Sequence, residues 1–454
     1  MGKKRVLILG SGLAGLSAGW HLQKRGIKAQ IFEKEAEVGG LCRSKNIDGF
    51  GFDYDGHLLH FKHRYTFNFI KDLLGDNLTQ HQRSSWIYAF DKYIRYPFQA
   101  NLHSLPEEVI KECLLGFVQA SKNNYCDNNS KNTFATRPWF GFPHSRSHKN
   151  KKNINFLDWI NWTFGKGIAK YFMIPYNTKF WTLPPEKLTC EWLSGFIPVP
   201  SLGQIIKGAI KESKERFGYN SHFWYPKKGG INQVPLALAG QIKNIFTNCQ
   251  IKEINTFKKE VIMESGNREK YDYLISTIPL PELARLIKDI SREALCSFKK
   301  LRWNSIFNLN LGIEKKDNSN RHWIYFPQKD ICFFRVGFYH NFSSFLAPKG
   351  KGSLYVEVSY SKTRPIDKKK VISRIEKDLK RAGIITAENK ICARDINDIK
   401  YAYPIYDGNY SLSRKKCLSF LTQNNILSCG RYGSWRYMSM EDVILDGKNI
   451  AESL

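Results

Sequence analysis

Arg5-Val6-Leu7-Ile8-Leu9-Gly10-Ser11-Gly12-Leu13-Ala14-Gly15 is the stretch that decides the fold. The apolar run Val6–Leu9 reads as a strand, and a Gly-x-Gly-x-x-Gly turn follows it at once. A helix runs on to about Arg25, Gly26 is placed to stop it, and Ala29 to Glu33 reads as a second strand. The three glycines have separate duties in such a unit. Gly10 permits the tight turn, Gly12 lets a pyrophosphate approach the backbone, and Gly15 lets helix and strand pack. The helix start at Leu13 and Ala14 then faces the phosphates. Glu33 ends the second strand where it can hydrogen-bond a ribose hydroxyl, with Lys34 beside it. Lys3, Lys4 and Arg5 before an apolar run also suit a secretory leader, but the glycine turn decides for a strand. Gly2 suggests myristoylation only until Val6, which stands where that motif wants Ser or Thr.

Working outward, 454 residues exceed one ordinary core, so two or three domains are expected. A hydrophobic share of 42% with 14% aromatics excludes general disorder. Charge is the outlier: 70 Lys+Arg against 41 Asp+Glu leave +29. That balance suits a protein that handles phosphates or lies near an anionic surface. No apolar run reaches the roughly 18 residues that span a bilayer. The ten cysteines form no Cys-x-x-Cys pair and read as thiols of a reducing compartment, so the expected location is the cytoplasm.

Helical spacing recurs from about 65 to 120 (Phe69, Ile70, Leu73, Leu74, then Val109, Ile110, Cys113, Leu114, Phe117) and again over Phe156–Met173. Residues 121–153 turn polar and basic, as in a surface insertion. Strand-like runs follow at Gln250–Ile254, Val261–Glu264, Tyr273–Ser276, Phe307–Leu311, Trp323–Phe326, Cys332–Gly337 and Ser353–Ser359. A helix at Lys368–Ala382, a strand at Ile426–Cys429 and a helix from about Met440 complete the chain. The expected architecture is α/β: a Rossmann-type dinucleotide-binding domain from 1–65, 210–290 and 395–454, with two insertions. One is a mostly helical substrate domain (66–209, including the basic insertion) and the other an antiparallel β-sheet domain (291–394).

Glu33-Lys34 leads into Gly39-Gly40-Leu41-Cys42-Arg43-Ser44, and Gly430-Arg431 follows the apolar Ile426–Cys429 run. With Asp272-Tyr273-Leu274-Ile275-Ser276-Thr277 between them, these resemble, in order, the FAD segments of the amine-oxidase-like flavoprotein superfamily. The resemblance implies FAD, held by Gly10, Gly12, Leu13, Ala14, Gly15, Glu33, Lys34, Gly40, Leu41, Gly430, Arg431 and Met440.

The middle of the chain narrows it. Arg95-Tyr96-Pro97-Phe98, Ile174-Pro175-Tyr176-Asn177-Thr178-Lys179-Phe180-Trp181, Cys190-Glu191-Trp192-Leu193, Trp323-Ile324-Tyr325 before Phe334-Arg335, and Gly433-Ser434-Trp435-Arg436-Tyr437 resemble the UDP-galactopyranose mutases. That resemblance implies interconversion of pyranose and furanose forms of a nucleotide sugar. N5 of reduced FAD attacks the anomeric carbon, and the nucleoside diphosphate leaves and returns. It implies Arg335 as the diphosphate clamp and His57 beside the flavin. Asn177, Trp181, Tyr325, Tyr403 and Tyr437 are then substrate contacts, and an external reductant such as NAD(P)H or a reductase supplies electrons. Two positions depart from the family pattern: Phe196 stands where an Arg binds phosphate, and Phe342 where a Tyr does. Lys207 or a basic residue of 121–153 is a candidate substitute.

An FAD-dependent oxidoreductase that oxidises or desaturates a small molecule is the alternative, and a non-catalytic flavoprotein scaffold the third reading. His57, His60 and His63 form His-x-x-His-x-x-His, but no Cys, Asp or Glu ligand is assured nearby, so no metal is expected. The lysine runs read as solvated charge rather than nucleic-acid contacts. Peripheral contact with an anionic membrane is a further expectation from the charge. Trp435 and Trp162 read as core.

Overall fold

A computed structural model describes residues 4–126, 154–193, 195–218, 220–316, 319–386 and 389–454. The stretch 127–153, most of the expected insertion, lies outside the described residues.

Strand Val6–Leu9 is the third of five parallel strands, in the order Ile426–Ser428, Tyr273–Ser276, Val6–Leu9, Ala29–Phe32, Ile245–Phe246. All four residues of the first strand are buried. A strand covered on both faces loses the alternation of a half-exposed one, and the sequence accordingly reads as an unbroken apolar run. Helix Leu13–Lys24 follows the turn and packs along the terminal helix Met440–Glu452. The contact is close because position 447 is glycine. A Cβ there would lie 2.6 Å from the Ala14 carbonyl oxygen, and Ser17 Oγ donates to the Ile444 carbonyl at 2.7 Å. The two ends of the chain thus complete one dinucleotide-type domain.

The second sheet has seven strands, in the order Ile391–Pro404, Trp303–Ile313, Gly352–Tyr360, Arg335–Phe338, Trp323–Tyr325, Ser85–Ala89, Lys92–Arg95. It is antiparallel except where Trp323–Tyr325 meets Ser85–Ala89. Helix Lys368–Arg381 covers one face through Val371, Ile375 and Leu379.

Two expected boundaries shift. Residues 66–209 are not wholly helical: Ser85–Ala89 and Lys92–Arg95 extend the seven-stranded sheet, and Leu78–Gln82 pairs with His222–Pro226. The strand Ile391–Pro404 also runs straight through position 395. The hairpin at 85–95 gave no turn signal, because Phe90 and Asp91 hold φ of +55° and +56° without an Asn-Gly pair. The longer helices of this stretch are Arg64–Leu74, Glu107–Cys126, Phe156–Ile168, Ile174–Trp181 and Leu202–Ile210.

Replacing Gly447 by Val should lower unfolding stability by about 2 kcal/mol, within the range for overpacking a close contact. Chemical denaturation would measure it, and an unchanged midpoint would contradict the close packing of the two helices.

Candidate functional site

Three glycine turns converge on the start of helix Leu13–Lys24. Gly10 has φ +97°, and a Cβ on Gly15 would lie 2.0 Å from the Gly10 carbonyl oxygen. Gly39 bridges Gly12 and donates to the Ser11 carbonyl at 2.9 Å, while Gly40 (φ +58°) sits against Gly12. Gly430 (φ +77°) closes the third side, where a Cβ would be 2.6 Å from that of Ala14. Nothing lies within 4 Å of a Cβ built on Gly12, so open space remains at the helix start. Glu33 is buried, and its carboxylate accepts from Ser11 N (2.7 Å), Ser11 Oγ (2.8 Å) and Glu35 N (3.0 Å). Its first task is therefore to hold the turn. Lys34 points to solvent and pairs with Glu35 at 3.3 Å.

From this cradle a cavity extends toward the seven-stranded sheet. Leu41, His57, Tyr325, Arg335, Tyr403, Arg431, Tyr437 and Met440, all singled out by the sequence, share its wall. Asn177 and Trp181 do not line it, which corrects the expectation of direct substrate contact. Asn177 Nδ2 donates to the Met173 carbonyl one turn back (2.8 Å), and Trp181 is fully buried among Phe180, Trp192, Tyr403 and Tyr406. Their helix reaches the site through Tyr176 and Phe180, which pack on Tyr325 and Tyr403.

The chemistry of the wall comes from one row across the sheet. Register places Tyr325 opposite Arg335, Arg335 opposite Glu357, Glu357 opposite Asn308 and Asn308 opposite Asn397. Both Arg335 Nε and Nη2 donate to the fully buried Glu357 carboxylate, the latter at 2.8 Å. Asp55 Oδ1 stands 4.0 Å from Nη2. Burial works against the Arg335 charge, but the Glu357 carboxylate outweighs it and holds the guanidinium cationic. Its fork is thus already closed on a carboxylate. Phe196 packs edge-on to Tyr437 at 4.7 Å, filling with an aromatic ring the position where an Arg was expected elsewhere in the family. Phe342 is buried against Tyr225 and Tyr355 and does not line the cavity.

Arg431 is the other cation of the wall. It donates to the Met438 carbonyl and lies 5.3 Å and 5.4 Å from the ring centres of Tyr403 and Tyr437. Among the described residues it makes no ion pair. Burial lowers the His57 pKa, as do Arg431 and Arg335, with Asp55 opposing, so the imidazole faces the cavity neutral. Burial, above all, raises Tyr403 and Tyr437, keeping both phenols protonated donors.

Two supports hold these groups in place. Lys179 is buried, and its ammonium donates to the carbonyls of Phe326, Gln328, Ile331 and Phe333, tying down the loop between Tyr325 and Arg335. Asp53 accepts from Ser44 Oγ (2.6 Å), Tyr225 Oη (2.6 Å) and Ile231 N (3.1 Å). Its own carbonyl accepts from Asn310 and Tyr339 of the seven-stranded sheet.

Sequence reasoning gave Asp55 no role and missed Tyr355 and Glu357. For Glu357 a signal existed: it is the one charge inside the apolar run Leu354-Tyr-Val-Glu-Val-Ser-Tyr360. A charge in a buried strand needs a partner. Tyr355 offered no signal, since an aromatic in a strand is ordinarily core.

Burial pushes the Asp53 carboxyl up from 3.8 to about 6, against its three donors. The folded chain therefore binds this proton more tightly than the unfolded one. The contribution is fully present below about pH 4 and lost as pH rises through 6, amounting to about 3 kcal/mol. Asp53→Asn should flatten the decline of stability between pH 4 and 7; an unaltered pH profile in denaturant titrations would contradict the assignment.

A family profile described as flavin containing amine oxidoreductase matches residues 13–454. Among curated proteins, 4,4'-diapophytoene desaturase (4,4'-diapolycopene-forming) of Methylomonas sp is 24% identical over 408 residues, covering 78% of this chain and 73% of that one. The 4,4'-diaponeurosporene oxygenase of Staphylococcus haemolyticus (strain JCSC1435) is 30% identical over 336 residues, covering 70% and 64%. Among solved structures, reduced UDP-galactopyranose mutase superposes with a TM-score of 0.88 at 26% identity, covering 100% of this chain and 94% of the other. A putative protoporphyrinogen oxidase from Exiguobacterium sp. 255-15 gives 0.72 at 15% identity, covering 100% and 99%, and shares the fold.

The implied flavin fits the residues present. The open space at Gly12, the glycines that let three turns converge, and the half-buried Arg431, which makes no ion pair among the described residues, together suit an anionic dinucleotide. Gly10, Gly12, Gly15, Gly40 and Gly430 would hold it, with Leu41 and Met440 in the adjoining cavity wall. On the match over residues 13–454 and this geometry, the chain belongs to the flavin containing amine oxidoreductase family.

Proposed function

We propose that the chain is an FAD-dependent oxidoreductase that oxidises or desaturates a small, non-anionic molecule in the cavity beside Arg335. The observation that carries this reading is the closed Arg335–Glu357 pair. A nucleoside diphosphate brings at least two negative charges. Of the two arginines lining the cavity, Arg335 is already balanced by Glu357 with Asp55 nearby, and Arg431 is the cation assigned to the dinucleotide. Freeing Arg335 for a phosphate would strand Glu357 in the interior, a cost of about 3–5 kcal/mol. Phe196 adds apolar surface at the same mouth. The curated relatives named as a desaturase and an oxygenase support the same class of chemistry.

On this reading the glycine cradle orients the dinucleotide, and FAD when bound supplies a two-electron acceptor. Tyr325, Tyr403 and Tyr437 position the substrate by donating hydrogen bonds and presenting aromatic faces. Neutral His57 can accept a proton at a ring nitrogen. An external electron acceptor, rather than a reductant, closes the cycle.

The second reading is a mutase that interconverts pyranose and furanose nucleotide sugars. It is favoured by the full-length likeness to UDP-galactopyranose mutase and by the grouping of Tyr325, Arg335, Tyr403 and Tyr437 around one cavity. It needs the flavin reduced, and hence NAD(P)H or a reductase as partner.

One anaerobic experiment separates the two. Oxidised holoprotein is mixed with a panel of amines, phenols and conjugated isoprenoids while flavin absorbance is followed. Dithionite-reduced holoprotein is incubated in parallel with UDP-galactopyranose and other nucleotide sugars, and the products are chromatographed. The expected result is bleaching by a member of the first panel and no same-mass isomer from the second. An isomer formed only by reduced protein would overturn the oxidoreductase reading in favour of the mutase.

A further inference from the structure

Helix Leu202–Ile210 carries an apolar stripe on the outside of the molecule. Leu202, Ile206 and Ile210 follow one another at four-residue steps and are 36%, 43% and 76% exposed, and Val199 just before the helix is 46% exposed. Four-residue spacing puts the three side chains within one narrow arc of the helix surface. The arrangement is not a loosely seated helix. A capping box joins Ser201 and Gln204, Ile205 is fully buried, and the Gly208 carbonyl accepts from Leu102 N and His103 N. A Cβ on Gly208 would lie 2.1 Å from the Ala100 carbonyl oxygen, so the inner face sits directly on the body of the protein. The outward face is thereby fixed.

We infer that this face seats the protein on an anionic lipid surface. Exposed isoleucines and leucine on a helix flanked by basic residues match the design of helices that lie in a membrane interface. Lys211, Lys214 and Arg216 follow the helix, all exposed, and none makes an ion pair among the described residues. Lys207 and Glu215 compensate each other at 3.0 Å, and Arg95 pairs with Glu212 at 3.1 Å. The charges left over are positive and sit beside the apolar stripe. A second copy of the chain is the weaker occupant, because two surfaces of a protein carrying +29 repel where phosphatidylserine attracts. No helix among the described residues is long and apolar enough to cross a membrane, so attachment would be peripheral. Phe196 and Asn220, which flank this segment in the chain, both line the cavity.

The test is flotation of the holoprotein with vesicles of phosphatidylcholine alone and of phosphatidylcholine mixed with phosphatidylserine. Sedimentation equilibrium without lipid runs alongside. The expected result is binding to the mixed vesicles, weakened by salt, and at least tenfold weaker for Ile206→Ser/Ile210→Ser with its flavin spectrum and denaturation midpoint unchanged. A Lys211→Glu/Lys214→Glu variant should lose preference for the anionic vesicles. Absence of binding to mixed vesicles, or equal binding by the isoleucine variant, would overturn the inference. So would a dimer abolished by that variant, which would assign the face to a second copy.

Discussion

The buried ion pair between Arg335 and Glu357 organises the half of the molecule that meets the substrate. Two charges in a sheet interior are tolerated only when each satisfies the other, and here a two-pronged contact does so. The pair also fixes register. Side chains alternate across a strand, so a slip of one residue in either strand would send one partner to the opposite face and leave the other charged and alone. Tyr325 on one side and Asn308 and Asn397 on the other inherit their direction from that alignment. The polar row continues to Asp395, which accepts from Asn397 at 2.8 Å and from Lys45 of the dinucleotide half at 2.9 Å.

The two halves meet along a short stretch after the second glycine turn. Asp53 takes donors from Ser44 and from Tyr225, and its carbonyl is held by Asn310 and Tyr339 of the large sheet. Two residues on, Asp55 approaches Arg335, and His57 enters the cavity wall. The same few residues thus join the sheets and furnish part of the site. On the far side, Lys179 ties the loop between Tyr325 and Arg335 to the helix carrying Tyr176. Burial draws its pKa down to about 7, with Cys332, Asp330 and Asp378 opposing. Much of the cavity wall is consequently built from strands of the large sheet and from the loop that Lys179 holds.

Much of this was legible in the sequence for identifiable reasons. The dinucleotide fold announces itself because glycine is required where turns converge, as at Gly10 and Gly15, and because a doubly covered strand must be apolar throughout. The cavity residues Tyr325, Arg335, Tyr403, Arg431 and Tyr437 were found through motifs. What motifs could not supply was the occupancy of the Arg335 fork, since Glu357 is remote in sequence and its meaning depends on strand register. Asn177 and Trp181 failed for a related reason: a motif places a helix near a site without saying which of its side chains turn inward. The strands at 78–95 escaped because Leu78–Gln82 pairs with the distant His222–Pro226 and the 85–95 hairpin turns without glycine.

UDP binding reads out the charge balance at Arg335. Calorimetric titration of UDP into the oxidised holoprotein should give weak affinity, in the millimolar range. The Glu357→Gln variant releases the guanidinium while keeping the shape of the side chain, and should bind UDP at least tenfold more tightly. Micromolar binding by the unaltered protein, with no gain in the variant, would show that Arg335 serves a diphosphate despite its carboxylate partner.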